Sequence, residues 1–195
     1  MRWLLWCSMC LVLNVTSAMA APPEAAGFVR AKIDQLADLL MSDAPDRLEQ
    51  VRRRMQELTD FSGFSERALG PTWGTLTRDE QLRFQRALQR LLESHYMGRP
   101  ASIFDKQKVQ VKSAARVGEQ MAVSLAVQRD DVDIDVVVEL QALRDGWQVR
   151  DVAIDGLSLL EDYRAQFQTY LKKKSLNELI AKLESRAQKN LAAKK

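Results

Sequence analysis

Few side chains of this sequence suggest chemistry by their type and spacing, and the common catalytic motifs are missing. His95 is the single histidine, with no Glu-x-x-His neighbour to share a metal ion and no evident group to orient it as a general base. The sequence contains no G-x-S-x-G nucleophile elbow and no glycine-rich phosphate loop. We therefore interpret His95 as an ordinary, half-exposed helix residue and expect no catalytic residue.

A run of aspartates between Asp130 and Asp135 is the other candidate for chemistry. Asp131, Asp133 and Asp135 share one face of an alternating strand, and no glycine or glutamate follows at the spacing of a calcium loop. The spacing also selects no pair of carboxylates for glycoside hydrolysis. A charged, solvent-facing side of a strand is the better interpretation, so we expect neither a metal site nor a cofactor.

The first twenty residues have the pattern of a secretory signal peptide. Arg2 is the only charge before Glu24, the stretch from Trp3 to Val15 is almost continuously apolar, and Ala18-Met19-Ala20 offers a small-x-small cleavage site. About 13 apolar residues are too few to span a bilayer, which requires about 20. We expect cleavage after Ala20 and export to an oxidising compartment, in preference to an N-terminal helix that stays on the protein.

Cleavage would remove both cysteines, Cys7 and Cys10, so the mature chain would have no disulfide and no cysteine-based metal site. Its stability must then come from packing. About 175 residues would remain, enough for one domain with a sizeable core. The chain has 29 basic and 26 acidic side chains, and the loss of Arg2 lowers the net charge from +3 to +2. This near-neutral balance does not favour nucleic acid as a partner.

Helical periodicity dominates residues 24–100. A break at Pro45-Asp46 separates two predicted helices, on which apolar residues recur three or four positions apart. A short helix is predicted from Phe61 to Leu69. Thr77 and Glu80 then form a capping box that opens the best-defined helix, predicted over residues 77–100.

Between residues 106 and 155 the apolar period changes from about 3.6 to about 2, which predicts strands. Three short turns join four strands, so neighbouring strands must be antiparallel, and the alternation predicts one buried and one wet face. The phase slips after Asp151, because Val152 and Ile154 lie on the opposite parity from Trp147 and Val149. We predict a β-bulge there.

Two further capping boxes, Ser158 with Glu161 and Ser175 with Glu178, predict two helices over residues 158–186. Helices therefore stand before and after a four-stranded antiparallel meander. This order predicts a single α+β domain over residues 21–195, with the helices packed on one face of a curved sheet.

Large apolar side chains remain to be explained once catalysis is set aside. On the predicted helices they are Trp73, Phe84, Leu88, Tyr96, Tyr163 and Phe167, and on the sheet Val123, Leu125, Val136, Val138, Trp147 and Val149. They either fill a solid core or line an apolar cavity between the sheet and the helices. Periodicity does not separate the two arrangements.

Three segments carry a family signature. The first segment, within residues 67–96, contains Arg67-Ala68-Leu69-Gly70, Trp73, Leu76-Thr77, Glu80-Gln81, Phe84, Leu91-Leu92 and Tyr96. The second segment covers residues 146–167, with Gly146-Trp147 and Val149 at its start. Its most specific part, residues 151–167, reads D-V-x-I-x-G-x-S-L-x-x-x-Y-R-x-Q-F, and residues 175–183 form the third segment. Together they resemble the periplasmic toluene-tolerance family, the MlaC-type phospholipid-binding component of ABC transport systems. Asp162 departs from the family, which often has asparagine before Tyr-Arg.

The resemblance implies a monomeric periplasmic carrier with a cone-shaped domain. It would hold phospholipid acyl chains in a deep pocket, with the headgroup largely outside. It would shuttle this cargo between an outer-membrane lipoprotein complex and an inner-membrane ABC transporter with an MCE domain, without covalent chemistry. The twelve apolar residues named above would line the pocket. Arg164 would bind a phosphate or form a structural ion pair, and Lys172, Lys173 and Lys174 would meet headgroups or an acidic partner unless they simply face solvent.

Two other functions stay open at this point, because similar scaffolds host many activities. One is an interaction or assembly protein with a filled core. The other is a small-molecule enzyme that uses His95 or an acidic residue.

Overall fold

Helices stand before and after a sheet in the computed structural model, which describes residues 23–96, 106–129, 132–144 and 146–192. The helices are α1 (Pro23–Met41), α2 (Arg47–Leu58), α3 (Phe61–Leu69), α4 (Arg78–Tyr96), α5 (Leu159–Leu171) and α6 (Leu176–Ala192). The strands are β1 (Val109–Val117), β2 (Gln120–Arg129), β3 (Val132–Leu143), β4 (Gly146–Ile154) and β5 (Leu157–Ser158). The predicted signal peptide, the predicted end of α4 at residue 100 and the turn at Asp130-Asp131 lie outside the described residues.

The strands form one antiparallel sheet in the order β1-β2-β3-β4-β5, which confirms the predicted meander and α+β class. The number of strands corrects the prediction of four, because β5 pairs with the end of β4. The connecting turn has positive φ at both central residues, Asp155 (49°) and Gly156 (78°), as in the type I′ turn that Asp-Gly favours. A two-residue strand is too short to show alternation in the sequence.

The predicted bulge in β4 lies at Arg150, one residue earlier than expected. Glu139 pairs with Asp151 and Leu140 pairs with Val149, so Arg150 is the extra residue on β4. A bulge shifts the side-chain parity of the strand. It therefore brings the apolar residues that follow it, at positions 152 and 154, to the face that carries Val149.

Buried apolar side chains form two separate clusters. The helical core joins α3, α4, α5 and α6 and consists of Phe64, Ala68, Leu69, Phe84, Ala87, Leu88, Leu91, Tyr163, Phe167, Leu179, Ile180, Leu183 and Ala187. The sheet core joins α1 to the sheet and consists of Ala25, Val29, Val109, Met121, Val123, Leu125 and Leu140. The first four helices are thus divided, since α1 covers the sheet while α3 and α4 pack with α5 and α6.

The three predicted capping boxes open α4, α5 and α6. At α4 and α6 the pairing is reciprocal, because the hydroxyl accepts from the glutamate N–H and the carboxylate accepts from the backbone N–H of the capping residue. At α5, the Glu161 N–H donates to Ser158 Oγ at 3.0 Å, but the Glu161 carboxylate contacts Arg164 Nη1 at 3.4 Å instead. None of the helices in the described ranges has the length and apolarity needed to cross a membrane.

Candidate functional site

An apolar cavity of about 470 Å³ lies between the helical core and the sheet core. Helices α1 and α2 contribute one part of its wall, α3, α4 and α5 another, and strands β2, β3 and β4 the rest. Its apolar lining consists of Phe28, Val29, Ile33, Leu36, Met55, Leu58, Phe61, Phe64, Leu92, Leu125, Val138, Val149, Val152, Ile154, Leu159 and Tyr163. This size falls within the range of about 300–1,000 Å³ that is typical of ligand pockets.

Polar residues are a minority of the cavity lining. Lys32 of α1 and His95 of α4 contribute to it, together with Thr59, Arg150 and Asp151. His95 was expected to be a half-exposed helix residue. In the structure it is half-buried on α4 and borders the cavity. Within the part of the chain that is described, Nε of Arg150 is buried without a hydrogen-bond partner. Arg150 Nη1 donates to Gln141 Oε1, and Asp151 carries a negative charge, so the lining is suited to apolar material with a few polar groups of mixed charge at its boundary.

Asp151 connects β4 to the start of α5 and is only 6 % exposed. Its Oδ1 accepts from the Val152 N–H at 2.8 Å and from the Leu160 N–H at 3.0 Å, and Ser158 Oγ donates to its Oδ2. The Leu160 N–H belongs to the first turn of α5, where backbone donors lack partners within the helix and the helix dipole favours a negative charge. The carboxylate thus holds this part of the cavity wall in place.

A network of charged groups surrounds the bulge. Arg67 Nη2 donates to the Arg150 carbonyl at 2.9 Å, and Arg67 Nη1 lies 3.4 Å from the Asp60 carboxylate. Burial and the nearby Arg150 charge lower the pKa of Arg67. Burial and the Asp151 charge raise the pKa of Glu139, which lies opposite Asp151 on β3. The contact of Arg67 with the Arg150 carbonyl and its ion pair with Asp60 tie β4 to α3 behind the cavity.

Tyr163 is the aromatic residue that joins the helical core to the cavity. Its ring packs edge-on against Phe64, with ring centroids 6.4 Å apart, and lies 5.5 Å from the ring of Phe167. Burial raises the pKa of Tyr163, because the phenolate would lose its hydration. The side chain therefore presents a neutral aromatic surface at neutral pH.

Four of the twelve residues predicted to line a pocket do contact the cavity, namely Leu125, Val138, Val149 and Tyr163. The helical core includes or contacts Trp73, Phe84, Leu88 and Phe167, and the sheet core includes or contacts Val123, Val136 and Trp147. The side chain of Tyr96 lies outside the described residues. Tyr163 and Phe167 share a helix face as predicted, but among the described contacts only Tyr163 lines the cavity.

The wall formed by α1 and α2 is absent from the sequence-predicted site. Phe28, Ile33 and Leu36 lie on the predicted apolar face of the first helix, but the pattern of one helix does not show what that face meets. The change in the alternation of apolar residues along β4 is a sequence signal that could have identified two further lining residues. It identifies Val152 and Ile154 as apolar residues on the buried side beyond the bulge.

The predicted cationic residues lie away from the cavity. Arg164 contacts Glu161 and Lys174 contacts Glu178, at 3.4 Å and 2.9 Å respectively. Both are i,i+3 or i,i+4 pairs on exposed helix surfaces, and such pairs contribute little to stability. Lys172 and Lys173 are exposed at the end of α5, about 15 Å along the helix axis from the cavity-lining Tyr163.

Metal binding has no support within the described ranges, where no group of three His, Cys, Asp or Glu side chains could hold an ion. Asp151, the carboxylate in the cavity lining, is occupied by three hydrogen bonds. The lining around it is mainly apolar, which suits the cavity to enclosing apolar material.

Comparisons with known proteins agree with this geometry. The family model described as MlaC protein matches residues 25–185. The fold is similar to that of the phospholipid-binding protein from Ralstonia solanacearum, which was solved in complex with a phospholipid. The TM-score is 0.69 and the sequence identity 20 %, over 88 % of this chain and 98 % of that chain. No curated protein matches the sequence significantly.

Proposed function

This chain belongs to the MlaC family, and on that premise we propose that it binds lipid acyl chains in the cavity and carries them through the periplasm. The observation that supports this proposal is the apolar cavity of about 470 Å³ between the two cores. The related fold from Ralstonia solanacearum is described as a phospholipid complex, which also supports lipid as the cargo.

The energetics of acyl burial favour a carrier that unloads by contact. Each buried methylene contributes about 0.8 kcal/mol, so a palmitoyl chain with about 14 methylenes gives a gross gain of about 11 kcal/mol. Such a chain leaves for water slowly. We therefore propose that cargo passes directly between this protein and its partners, an outer-membrane lipoprotein complex and an inner-membrane ABC transporter with an MCE domain.

The proposal assigns no bond-breaking step to the protein. Asp151 is used to hold α5 against β4, and the Tyr163 phenol is neutral. A carrier needs a cavity, an entrance and a docking surface, and it needs no activated nucleophile.

The first experiment identifies the cargo. The protein is expressed from the full-length sequence, purified from the periplasmic fraction and extracted with organic solvent, and the extract is analysed by mass spectrometry. We expect about one lipid per protein and recovery from the periplasm. Folded protein that yields no lipid would contradict the proposal.

A matched pair of variants tests whether the cavity holds the cargo. Val138 lines the cavity, and its neighbour Val137 points to the opposite face of β3. Val138→Asp is expected to lose most of the co-purified lipid, because a carboxylate is costly in an apolar cavity, whereas Val137→Asp should retain it. Circular dichroism serves to check that both variants fold. Equal lipid content in the two folded variants would place the cargo elsewhere.

The basic end of α5 offers a test of docking. Charge reversal of Lys172, Lys173 and Lys174 to glutamate is expected to slow lipid transfer to the transporter at low salt, because exposed charges attract partners over about 30 Å at 0.01 M salt. Lipid content should stay unchanged, since these residues lie away from the cavity. Unaltered transfer rates would show that this surface does not dock.

A further inference from the structure

We propose that the cavity opens at the hairpin between β4 and β5, where Ile154 and Leu157 form an apolar rim over which acyl chains enter and leave. This inference rests on the proposed function and names the place where cargo is exchanged. Its basis is the exposure of the lining residues, the pairing of β4 with β5, and the contacts that close the other end of the cavity.

Ile154 lies where the cavity lining reaches the surface. It lines the cavity and is 42 % exposed, whereas every other lining residue in the described ranges is buried or half-buried. A residue that both lines a cavity and contacts solvent stands at an opening. The end of β4 is therefore the side on which the cavity meets water.

Leu157 continues the apolar surface beyond this opening. It pairs with Ile154 across the hairpin, so the two side chains point to the same face of the sheet. Leu157 is 75 % exposed, and Val132, which is 64 % exposed, lies at the same end of the sheet on the face of β3 that carries the cavity-lining Val138. Apolar side chains grouped at the surface beside a cavity are typical of a binding surface.

The rim has a fixed shape because the hairpin is anchored on both sides. The Asp155 N–H donates to the Asp135 carbonyl at 2.8 Å, and Asp155 Oδ1 accepts from the Asp135 N–H at 3.0 Å. On the other side, Ser158 Oγ donates to Asp151. The backbone thus holds Leu157 in water, which forgoes the free energy that its burial would give, and contact with cargo recovers it.

The junction of α2 and α3 closes the opposite end of the cavity. Thr59 forms a bridge with Val149, and the Asp60 N–H donates to the Val149 carbonyl at 3.0 Å. Val149 and Ile154 are separated by about 13–16 Å along a strand that contains one bulge. The closed end and the opening therefore lie at the two limits of the β4 wall.

An apolar rim speeds the transfer of a chain by contact. A chain that leaves the cavity passes from Ile154 to Leu157 before it reaches an acceptor, so fewer of its methylenes are in water at any moment. Shielding of about two methylenes changes the rate of such a step about tenfold.

The first test locates the entrance on the unaltered protein. Protein expressed from the full-length sequence is loaded with phosphatidylethanolamine that carries a diazirine either on the headgroup or at the end of one acyl chain. After illumination, mass spectrometry identifies the labelled peptides. We expect the headgroup probe to label residues 154–158 and the chain-end probe to label residues near Val149 and Phe61, while residues 117–120 at the other end of the sheet stay unlabelled. A bound headgroup probe that leaves residues 154–158 unlabelled would overturn the inference.

The second test compares two exposed leucines. Leu143 is 51 % exposed, but it lies beside the turn at the opposite end of the sheet. Leu157→Gln is expected to slow transfer of pyrene-labelled phosphatidylethanolamine to phosphatidylcholine vesicles about tenfold, with the lipid content and the urea unfolding of wild type. Leu143→Gln and the conservative variant Leu157→Met should transfer at the wild-type rate. Equal rates for the two folded glutamine variants would refute the role of the rim.

The outcomes separate this inference from the proposed function. Bound lipid whose headgroup probe labels another part of the surface would overturn the entrance and leave the carrier function standing. Folded protein that binds neither diazirine lipid would overturn both. The photolabelling uses the wild-type chain, so it decides the matter if Leu157→Gln does not fold.

Discussion

Replacing Asp151 with alanine removes the contact that joins the bulged strand β4 to helix α5. The carboxylate accepts from the backbone N–H groups of Val152 and Leu160, at 2.8 Å and 3.0 Å, and from the Ser158 hydroxyl. Because Asp151 is 6 % exposed, water replaces these contacts poorly. The substitution is therefore expected to destabilise the whole fold.

The magnitude follows from the groups left without a partner. A buried backbone N–H without an acceptor costs about 1–3 kcal/mol. Two such groups would cost about 2–6 kcal/mol. Water that partly enters the space satisfies some of this demand, so we expect Asp151→Ala to lower the free energy of unfolding by about 3–4 kcal/mol. Asp151→Asn keeps an acceptor for the two N–H groups, and its amide can donate to Ser158. Only the negative charge is removed, so the free energy of unfolding should fall by only about 1–1.5 kcal/mol.

The measurement is urea unfolding at neutral pH, with an unchanged m-value as evidence that the unfolding transition is comparable. Asp162→Ala is the matched control, because Asp162 is an exposed carboxylate on the same helix whose contact in the described structure is a 2.8 Å bond from Gln166. It should cost no more than about 0.5–1 kcal/mol.

Equal losses for Asp151→Ala and Asp162→Ala would refute the reasoning. They would show that the three hydrogen bonds contribute no more than an exposed carboxylate at a helix start. An asparagine variant as unstable as the alanine variant would instead assign the effect to the charge alone.

Three further results are expected. Glu139→Gln should stabilise the protein at neutral pH. Burial and the Asp151 charge raise the Glu139 pKa, so the wild-type fold loses stability as pH rises through that pKa. Urea unfolding well below the ordinary glutamate pKa should show no gain in stability for the variant. Hydrogen bonds from Ser175 and Lys174 lower the pKa of Glu178 from 4.5 to about 2, so the stability advantage of wild type over Glu178→Gln should disappear as pH falls from 4.5 to about 2, and a constant difference would contradict this. Phe167→Ala should cost about 3–5 kcal/mol in urea unfolding yet retain bound lipid, since Phe167 lies in the helical core; a folded variant of wild-type stability that loses lipid would make it a cavity residue.

Local elements were predictable because their signals lie within a few residues of sequence. The helix from Phe61 to Leu69 was predicted with the bounds that the structure has. The capping boxes at Thr77 and Ser175 are hydrogen bonds between residues three apart, so no tertiary contact is needed to specify them. The antiparallel pairing followed from turns too short for any other connection.

The cavity lining was less predictable, because an apolar helix face has the same pattern whether it meets a packed core or a void. Phe167 and Leu58 illustrate this, since both lie on apolar faces of predicted helices. Phe167 is buried against Phe84, whereas Leu58 borders the cavity. The difference depends on which helices pack together, and helices distant in sequence decide it.

The order of elements, the α+β class, the family signature and the scarcity of catalytic groups are therefore properties of the sequence alone, since local hydrogen bonding and side-chain periodicity specify them. Tertiary structure decides that α1 packs on the sheet while α4 packs on α6, and this division leaves space between two closed clusters. The free volume of a cavity depends on how closely surfaces from distant parts of the chain pack together. No local pattern contains that relation, and so the cavity and its capacity follow only from the folded arrangement.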